Sequence, residues 1–441
     1  MMRPLYLFLK FLLRITLWIY YPRFKTINSS PKRYNSTIYM CNHAASFMDP
    51  LVIAGPQRPI VFFMTRADIY KGIMKQIFWA AHMLPIYRQQ DGGNVKDNNL
   101  KVFKETSRLL KKGRNILIFA EGFTDDDFIR RLKPIKKGSV KMGFEALESI
   151  NWSKEIYVQA VGINYTHRNV LGSGIIISNG NSVCLNAYRD EYKRDPIATI
   201  INLSARLEKE MQEQITYVKS KKMAPFHENV MRITRKGMNA IDSDKRIPLI
   251  ERWEYSRNLA NWMNENKVEN NEEIMQLKER LESYFAMQEE VQIEETPFYN
   301  LVKNKRYKWR DILYLVLLAP LAMFSHIFTF IPVRFIKNFV EKSFKRSVFW
   351  GSVKMLLGAA AVGVYNLILL AIVSWLTGLS YLMLLVIGLI VVPVNFVLLR
   401  NWQRRFKLHR QMNRLSKENH GKIAHEREII EAEIKRLIPV S

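Results

Sequence analysis

The sequence predicts an α/β protein: a layered domain with a central sheet over residues 26–195, a charged helical segment over 196–300, and C-terminal membrane helices within 301–400. Three observations carry this. Short β-rich runs alternate with helix-like stretches from residue 36 to about 190. The composition then shifts to Glu, Lys, Asn, Gln and Met with few β-branched residues. The spans 312–331 and 355–399 contain no Lys, Arg, Asp or Glu. Strands alternating with helices indicate a layered α/β domain. Uncharged apolar spans of about 20 residues are what a bilayer core of roughly 30 Å requires.

Residues 1–25, MMRPLYLFLKFLLRITLWIYYPRFK, look at first like a signal peptide or a span. Lys10 and Arg14 interrupt the apolar run, and each costs about 2.5–3.5 kcal/mol at the centre of a membrane helix. Arg3, Lys10 and Arg14 are spaced by seven and four residues and share one helical face, leaving Leu, Phe, Ile and Trp to the others. That pattern predicts an amphipathic helix lying in the membrane interface. Strands are expected at STIYMC, PIVFFM, MLPIY, NILIFA, IYVQAVGINY and SVCLNAY, with a helix at NNLKVFKETSRLLKKG. Beyond them, LSARLEKEMQEQITYVKSKK and NEEIMQLKERLESYFAMQEE read as helices with solvated charged faces.

The apolar region is framed by basic segments: KNKRYKWR before residue 312, VRFIKNFVEKSFKR after 331, and RNWQRRFKLHRQMNR after 399. Short basic flanks stay cytoplasmic. If both flanks of 312–331 are cytoplasmic, that run is no simple span. With Pro320 near its middle, it is expected to form a re-entrant or in-plane helical hairpin. Residues 355–376 and 380–399 then make two transmembrane helices, and 401–441 a basic cytoplasmic tail. The layered domain and both termini would face the cytoplasm.

Sixty-seven basic and forty acidic side chains give a formal charge of +27, which suits nucleic acid, an anionic lipid surface or an acidic partner. Zinc-ligand spacings and aromatic-glycine strand signatures are absent, and the basic residues spread along the whole chain, so membrane lipid is the expected partner and nucleic acid is not. Cys41 and Cys184 are the two cysteines; far apart in a long chain, they read as ordinary strand residues in a reducing compartment.

The stretch CNHAASFMDP, residues 41–50, sets a histidine and an aspartate between two apolar runs. Buried polar groups need partners, so this pair either satisfies itself or does chemistry. A His beside an Asp at a strand end can act as general base, the carboxylate fixing one tautomer and stabilising the imidazolium. There is no GxSxG elbow, so no covalent intermediate is required. A metal site is disfavoured because the other seven histidines are scattered.

The order of the following segments decides between the alternatives. MLPIYRQ ends in Arg88 and Gln89, IFAEGFT brings Glu121 and Gly122, LKPIKKGS brings Lys133, Lys136 and Lys137, and VQAVGINY follows. This succession resembles the four blocks of the glycerolipid acyltransferase family, which includes glycerol-3-phosphate and lysophosphatidate acyltransferases. The resemblance covers about residues 35–190, and its first and third blocks are the specific ones. It implies a catalytic dyad of His43 and Asp49, an acceptor-phosphate arginine at Arg88, and an acceptor site shaped by Glu121 and Gly122 from the block Phe119–Gly122. The fourth block falls on Val158 to Tyr165.

Two departures narrow it. Five residues separate His43 from Asp49 where most members have four, as in the long fungal-type glycerol-3-phosphate and dihydroxyacetone-phosphate acyltransferases and their bacterial relatives. Neither spacing puts both side chains on one helical face, since six steps of about 100° point them apart, so the pair must meet through a turn. Thr124, followed by Asp125, Asp126 and Asp127, stands where many members carry an arginine. The aspartates read as a solvated turn or helix start, and phosphate binding is expected to rest on Arg88 with Lys133, Lys136 or Lys137. The implied activity is transfer of an acyl group from coenzyme A or acyl carrier protein to glycerol 3-phosphate in phospholipid biosynthesis, with lysophosphatidate as the alternative acceptor and no metal or redox cofactor. A membrane adaptor that keeps the fold without catalysis is the rival from another class, which the intact dyad disfavours.

Overall fold

The computed structural model describes residues 3–28, 36–56, 61–70, 72–87, 94–303, 309–415 and 420–440. It divides into two compact units, one of residues 1–168 and 173–219, the other of 169–172 and 220–441.

The first unit opens with helix α1 (Arg3–Tyr20) and strands β1 (Arg23–Ile27) and β2 (Thr37–Cys41). Then follow α2 (Met48–Ala54), β3 (Val61–Arg66), α3 (Gly72–Ala80), β4 (Met83–Ile86), α4 (Val95–Lys111), β5 (Asn115–Phe119) and α5 (Gly138–Ser149). β6 (Tyr157–Tyr165), β7 (Gly174–Cys184), α6 (Arg189–Arg194) and α7 (Pro196–Glu213) complete it. The described strands form one sheet in the order β1-β7-β6-β2-β5-β3-β4, parallel throughout except for the antiparallel β6–β7 pair. β2 is therefore central and bordered on both sides by parallel neighbours, the position in which strands are buried on both faces and read as continuous apolar runs. All five of its residues are buried, Cys41 among them.

α1 is helical as the charge spacing requires. Tyr6, Leu17 and Tyr20 are buried, while Leu7, Phe8, Phe11 and Trp18 remain exposed. Arg14 donates from Nε to the carbonyl of Gly55 at 2.9 Å, so one of the three cations is fastened to the end of α2.

Two strand expectations are corrected. β1 was not foreseen, since RFKTI is short and half-polar, and it pairs at the sheet edge with β7. β7 begins at Gly174, not Ser182; its buried part, Gly174 to Asn179, lies in a stretch whose Gly, Ser and Asn look like a loop, and LNAY forms a 3₁₀ turn. Ser178 and Gln159 meet their hydrogen-bonding needs inside the sheet region, through Gln214 and the carbonyl of Gly180.

The boundary at 195 also moves. α7 is started by Asp195, whose side chain accepts from the Ala198 N–H at 3.0 Å, with Pro196 in the first turn. Its Leu203, Leu207 and Met211 join Ile38, Met40, Ile116, Val158 and Phe144 in the hydrophobic core of the sheet. The charged residues of LSARLEKEMQEQ thus line the outer face of a helix that belongs to the first unit.

The second unit is helical: α8 (Ala224–Thr234), α9 (Leu249–Glu265), α10 (Glu272–Glu290), α11 (Glu295–Val302), α12 (Trp309–Ser343), α13 (Trp350–Thr377), α14 (Tyr381–Leu415) and α15 (Gly421–Leu437). Residues 421–437, expected as a tail, instead carry Ile430 and Ile434 into the interior. Arg427, fully buried, donates from Nε to Glu295 at 2.9 Å and from Nη1 to Glu431 at 2.8 Å. Glu295 also accepts from Tyr284 and Gln288, so the buried charges are paired and hydrogen-bonded, as burial demands.

Three helices, α12, α13 with its preceding 3₁₀ turn, and α14, are long and apolar enough to cross a membrane. α13 and α14 turn back on each other at Gly378, which adopts φ +68°. The hairpin expected within 312–331 is absent, because α12 runs unbroken through Pro320 and Pro332. Proline lacks the N–H that would bond the carbonyl four residues earlier. For Pro332 that orphan is Phe328 O, and it accepts from the Asn366 amide of α13 at 2.9 Å. The donor lost within one helix is supplied by its neighbour.

Candidate active site

Three adjacent parallel strands converge here. The carboxyl ends of β6, β2 and β5 carry Tyr165, His43 and Glu121, in the order in which the strands lie. The carboxyl ends of parallel strands are where α/β sheets place reacting groups. β2 and β6 are fastened just past their pairing by Asn42: its amide donates to Ile163 O at 3.1 Å and its Oδ1 accepts from the Ile163 N–H at 2.7 Å.

The turn that the spacing demands is present. After His43 the chain bends through Ser46, at φ +50°; the N–H groups of Met48 and Asp49 donate to the carbonyls of Ala45 and Ser46 at 3.0 and 3.1 Å. α2 starts at Met48, so Asp49 lies in its first turn and comes back onto the histidine. His43 Nδ1 and Asp49 Oδ2 are 2.8 Å apart. Asp49 is fully buried, and its carboxylate accepts two further hydrogen bonds, from the Ala45 N–H at 2.9 Å and the Tyr165 hydroxyl at 2.7 Å. An ionised carboxylate only accepts, so Nδ1 carries the proton and Nε2 is left with a lone pair. The His43 side chain is 18 % exposed and stacks on Phe119, with ring centroids 4.3 Å apart. Chemically, this arrangement can serve as a general base, with one ring nitrogen held by the carboxylate and the other left to take a proton.

Glu121 acts on the same loop from β5. Its Oε1 accepts from the His43 backbone N–H at 2.6 Å and its Oε2 from the Lys133 N–H at 3.3 Å. Burial pushes its carboxyl above the usual range, and the N–H groups of His43 and Lys133 together with the Lys133 charge oppose that rise. Glu121 is thus a brace for the histidine.

Lys133 meets its charge inside the loop: Nζ donates to Phe123 O at 2.8 Å and lies 3.4 Å from Asp125 and 3.7 Å from Glu121. Lys136 is exposed; its backbone N–H donates to Ala120 O at 2.9 Å, and its ammonium passes directly over Gly122, where an added Cβ would come within 2.7 Å of Nζ. Lys137, also exposed, occupies the N-cap position of α5 without a side-chain capping bond. Arg88 lies outside the described residues.

The aspartate run is no helix start: the chain bends at Asp126 and Asp127, and α5 begins only at Gly138. The backbone of the run is gripped by Arg168, which belongs to none of the four motif blocks. Arg168 Nη1 donates to Asp125 O and to Ala44 O, both at 2.9 Å, and Nη2 donates to Asp126 O. One buried guanidinium therefore ties the aspartate turn to the loop of His43. Arg130 similarly holds the end of β6, donating to Tyr165 O at 2.7 Å and Thr166 O at 3.2 Å. Tyr165 itself was legible only as the last residue of a block; its reach to Asp49, 116 positions earlier in the chain, was not. Among the described residues no three His, Cys, Asp or Glu side chains gather as a metal site.

No curated protein matches this chain. Residues 23–164 match the family model described as Acyltransferase, a span that contains β1 to β6 up to its last residue, both members of the dyad, and Glu121. The first unit thus carries an acyltransferase domain over those residues, and the chain is an acyl-transferring enzyme.

Proposed function

We propose that the chain transfers a fatty acyl group from a thioester, acyl-coenzyme A or acyl-acyl carrier protein, to a hydroxyl of glycerol 3-phosphate in phospholipid biosynthesis, on the cytoplasmic face of a membrane. The observation that carries the reading is the hydrogen-bonded His43–Asp49 pair, with its carboxylate buried and its Nε2 open. Nε2 takes the proton of the attacking hydroxyl as that oxygen bonds to the thioester carbon. The carbon–sulfur bond then breaks, and the thiolate leaves with the proton held by His43. Products are an ester and a free thiol, so atoms and charge balance.

A phosphorylated acceptor is supported by the free cations at this end of the sheet. Lys136 over Gly122, Lys137, and the N-terminus of α5 supply positive charge and dipole at this end of the sheet, which suits a phosphate. Arg88 is proposed to join them on the strength of the resemblance. Membrane placement is supported by the apolar helices of the second unit and by the exposed apolar residues of α1, which suit an interfacial helix.

The test is acyl transfer by purified enzyme with a labelled thioester, glycerol 3-phosphate and lysophosphatidate being supplied separately. Product from glycerol 3-phosphate is expected, with His43→Ala abolishing turnover and Asp49→Asn lowering it by roughly 10⁴-fold, the scale seen when the orienting aspartate of a Ser-His-Asp triad is lost. Product from lysophosphatidate alone would reassign the acceptor. Near-normal activity in His43→Ala would end the mechanism.

A further inference from the structure

The dyad has a third member. We infer that Tyr165 is a positioning residue that fixes the carboxylate of Asp49, and through it the imidazole of His43, in the geometry of proton transfer. The inference rests on the acyl-transfer reading above for its kinetic arm only.

Asp49 has two carboxylate oxygens, and the structure distributes the work between them. Oδ2 receives the His43 ring and the Ala45 N–H, both from its own loop, whereas among the described residues Oδ1 receives the Tyr165 hydroxyl alone, at 2.7 Å. Without that contact the carboxylate is held at one oxygen and is free to swing about its terminal torsion, which is broad for aspartate. With it, both oxygens are pinned and the plane of the carboxylate is set.

Tyr165 is itself rigid. Its side chain is 1 % exposed, its carbonyl accepts from Arg130, and its ring packs against Tyr21, with centroids 5.8 Å apart. Tyr21 in turn donates its hydroxyl to Arg168 O at 2.9 Å, and Arg168 grips Ala44 beside the histidine. The end of β6 therefore holds the His43–Asp49 loop at two points, the carboxylate through Tyr165 and the backbone through Arg168. Burial, and next the charge of Asp49, hold the Tyr165 phenol well above its ordinary range, so it stays a protonated donor wherever the enzyme works.

Tyr165→Phe removes the hydroxyl and keeps the ring, and with it the packing. It should lower kcat about tenfold, the scale of one hydrogen bond to a charged group, with KM for donor and acceptor unchanged within about twofold. In an Asp49→Asn background the same change should be silent within about twofold, since the positioned charge is gone. A second readout needs no turnover: the far-downfield proton resonance of the His43 Nδ1–H, identified on the full chain in micelles by its loss in His43→Ala. It should shift in Tyr165→Phe and stay in place in Tyr39→Phe, a control that deletes another buried hydroxyl. An unshifted resonance in Tyr165→Phe overturns the inference whether or not transfer is detected, and so does an equal loss of kcat in both backgrounds. A shifted resonance in a wild-type chain that transfers no acyl group would remove the proposed function and leave the positioning role standing.

Discussion

At the scale of single residues, the site depends on backbone conformations that few side chains accept. Gly122 sits at φ +77°, and a Cβ there would meet the Lys136 ammonium at 2.7 Å. Gly122→Ala should therefore cost about 1–2 kcal/mol of stability from the left-handed backbone, read as a lowered thermal midpoint. It should also push Lys136 aside, so that KM for a phosphorylated acceptor rises while KM for the thioester holds. Equal changes in both constants would mean that Lys136 does not face the acceptor. His43, Asp49, Glu121 and Gly122 were all legible because each lies within two short motifs at strand ends, where a polar residue beside a buried run is conspicuous. Tyr165 and Arg168 were not, because what makes them functional is a contact across more than a hundred positions: Tyr165 to Asp49 and Arg168 to Ala44. Lys133 shows the converse, for its position in the motif was plain but its engagement by Phe123 O, Asp125 and Glu121 was a property of the folded loop.

At the scale of elements, α1 is joined to the sheet through His82, whose imidazole is stacked between Tyr6 of α1 and Phe62 of β3, at 4.3 and 4.5 Å. Burial, and next the charge of Arg114, lower its pKa from 6.5 to about 4. Because the folded value lies below the unfolded one, protonation favours the undocked state. The contribution of the stack is complete above about pH 6.5 and is lost as pH falls toward 4. Cleavage of the full chain at Arg23 and Lys25, used as a probe of α1 docking, should accelerate across that window, and His82→Phe, which retains a ring but cannot titrate, should flatten the response. The same dependence in both proteins would place the titrating group elsewhere. In the second unit, Asn366 replaces the donor that Pro332 denies to Phe328 O. Asn366→Leu should destabilise the α12–α13 pair by about 0.6–2 kcal/mol in denaturant titrations of the micellar protein, and by less when Pro332→Ala restores an internal donor. β2, β3, β5 and β6 could be read from β-rich runs alone, since interior strands advertise their burial, and the edge strand β4 from the run MLPIY; β1, the start of β7 and α15 could not, because their stability comes from neighbours distant in sequence.

At the scale of the whole molecule, the question is how a chain with three long apolar helices meets a membrane. α13 and α14 form a hairpin about Gly378, and Lys354 and Trp402 each stand twenty-four residues from that turn, ~36 Å of helix and so about one bilayer core. α12 touches this hairpin at three levels. Near its start, Leu315 O accepts from Trp402 at 2.8 Å and Asp311 pairs with Arg405 at 3.3 Å. In its middle Phe328 meets Asn366, and near its end Glu341 pairs with Lys354 at 2.6 Å. Both ends of α12 therefore lie at the open end of the hairpin, and only its middle reaches inward. We propose that, although α12 is long enough to cross, its two flanks share one side of the membrane, which is where the basic residues on both flanks belong if the positive-inside rule holds. The contacts beyond agree: Arg280 before α12 bonds to Glu433 after α14, and Lys407 pairs with Glu294 at 2.6 Å. Single cysteines in a background of Cys41→Ala and Cys184→Ala test this with an impermeant thiol reagent on intact cells. Ser380→Cys, at the turn, should be labelled from outside; Lys303→Cys, Ser343→Cys and Asn413→Cys should be labelled only after permeabilisation. Outside labelling of Ser343→Cys with Lys303→Cys protected would show that α12 crosses, and the segments on either side of it would then face opposite compartments despite the contacts that join them.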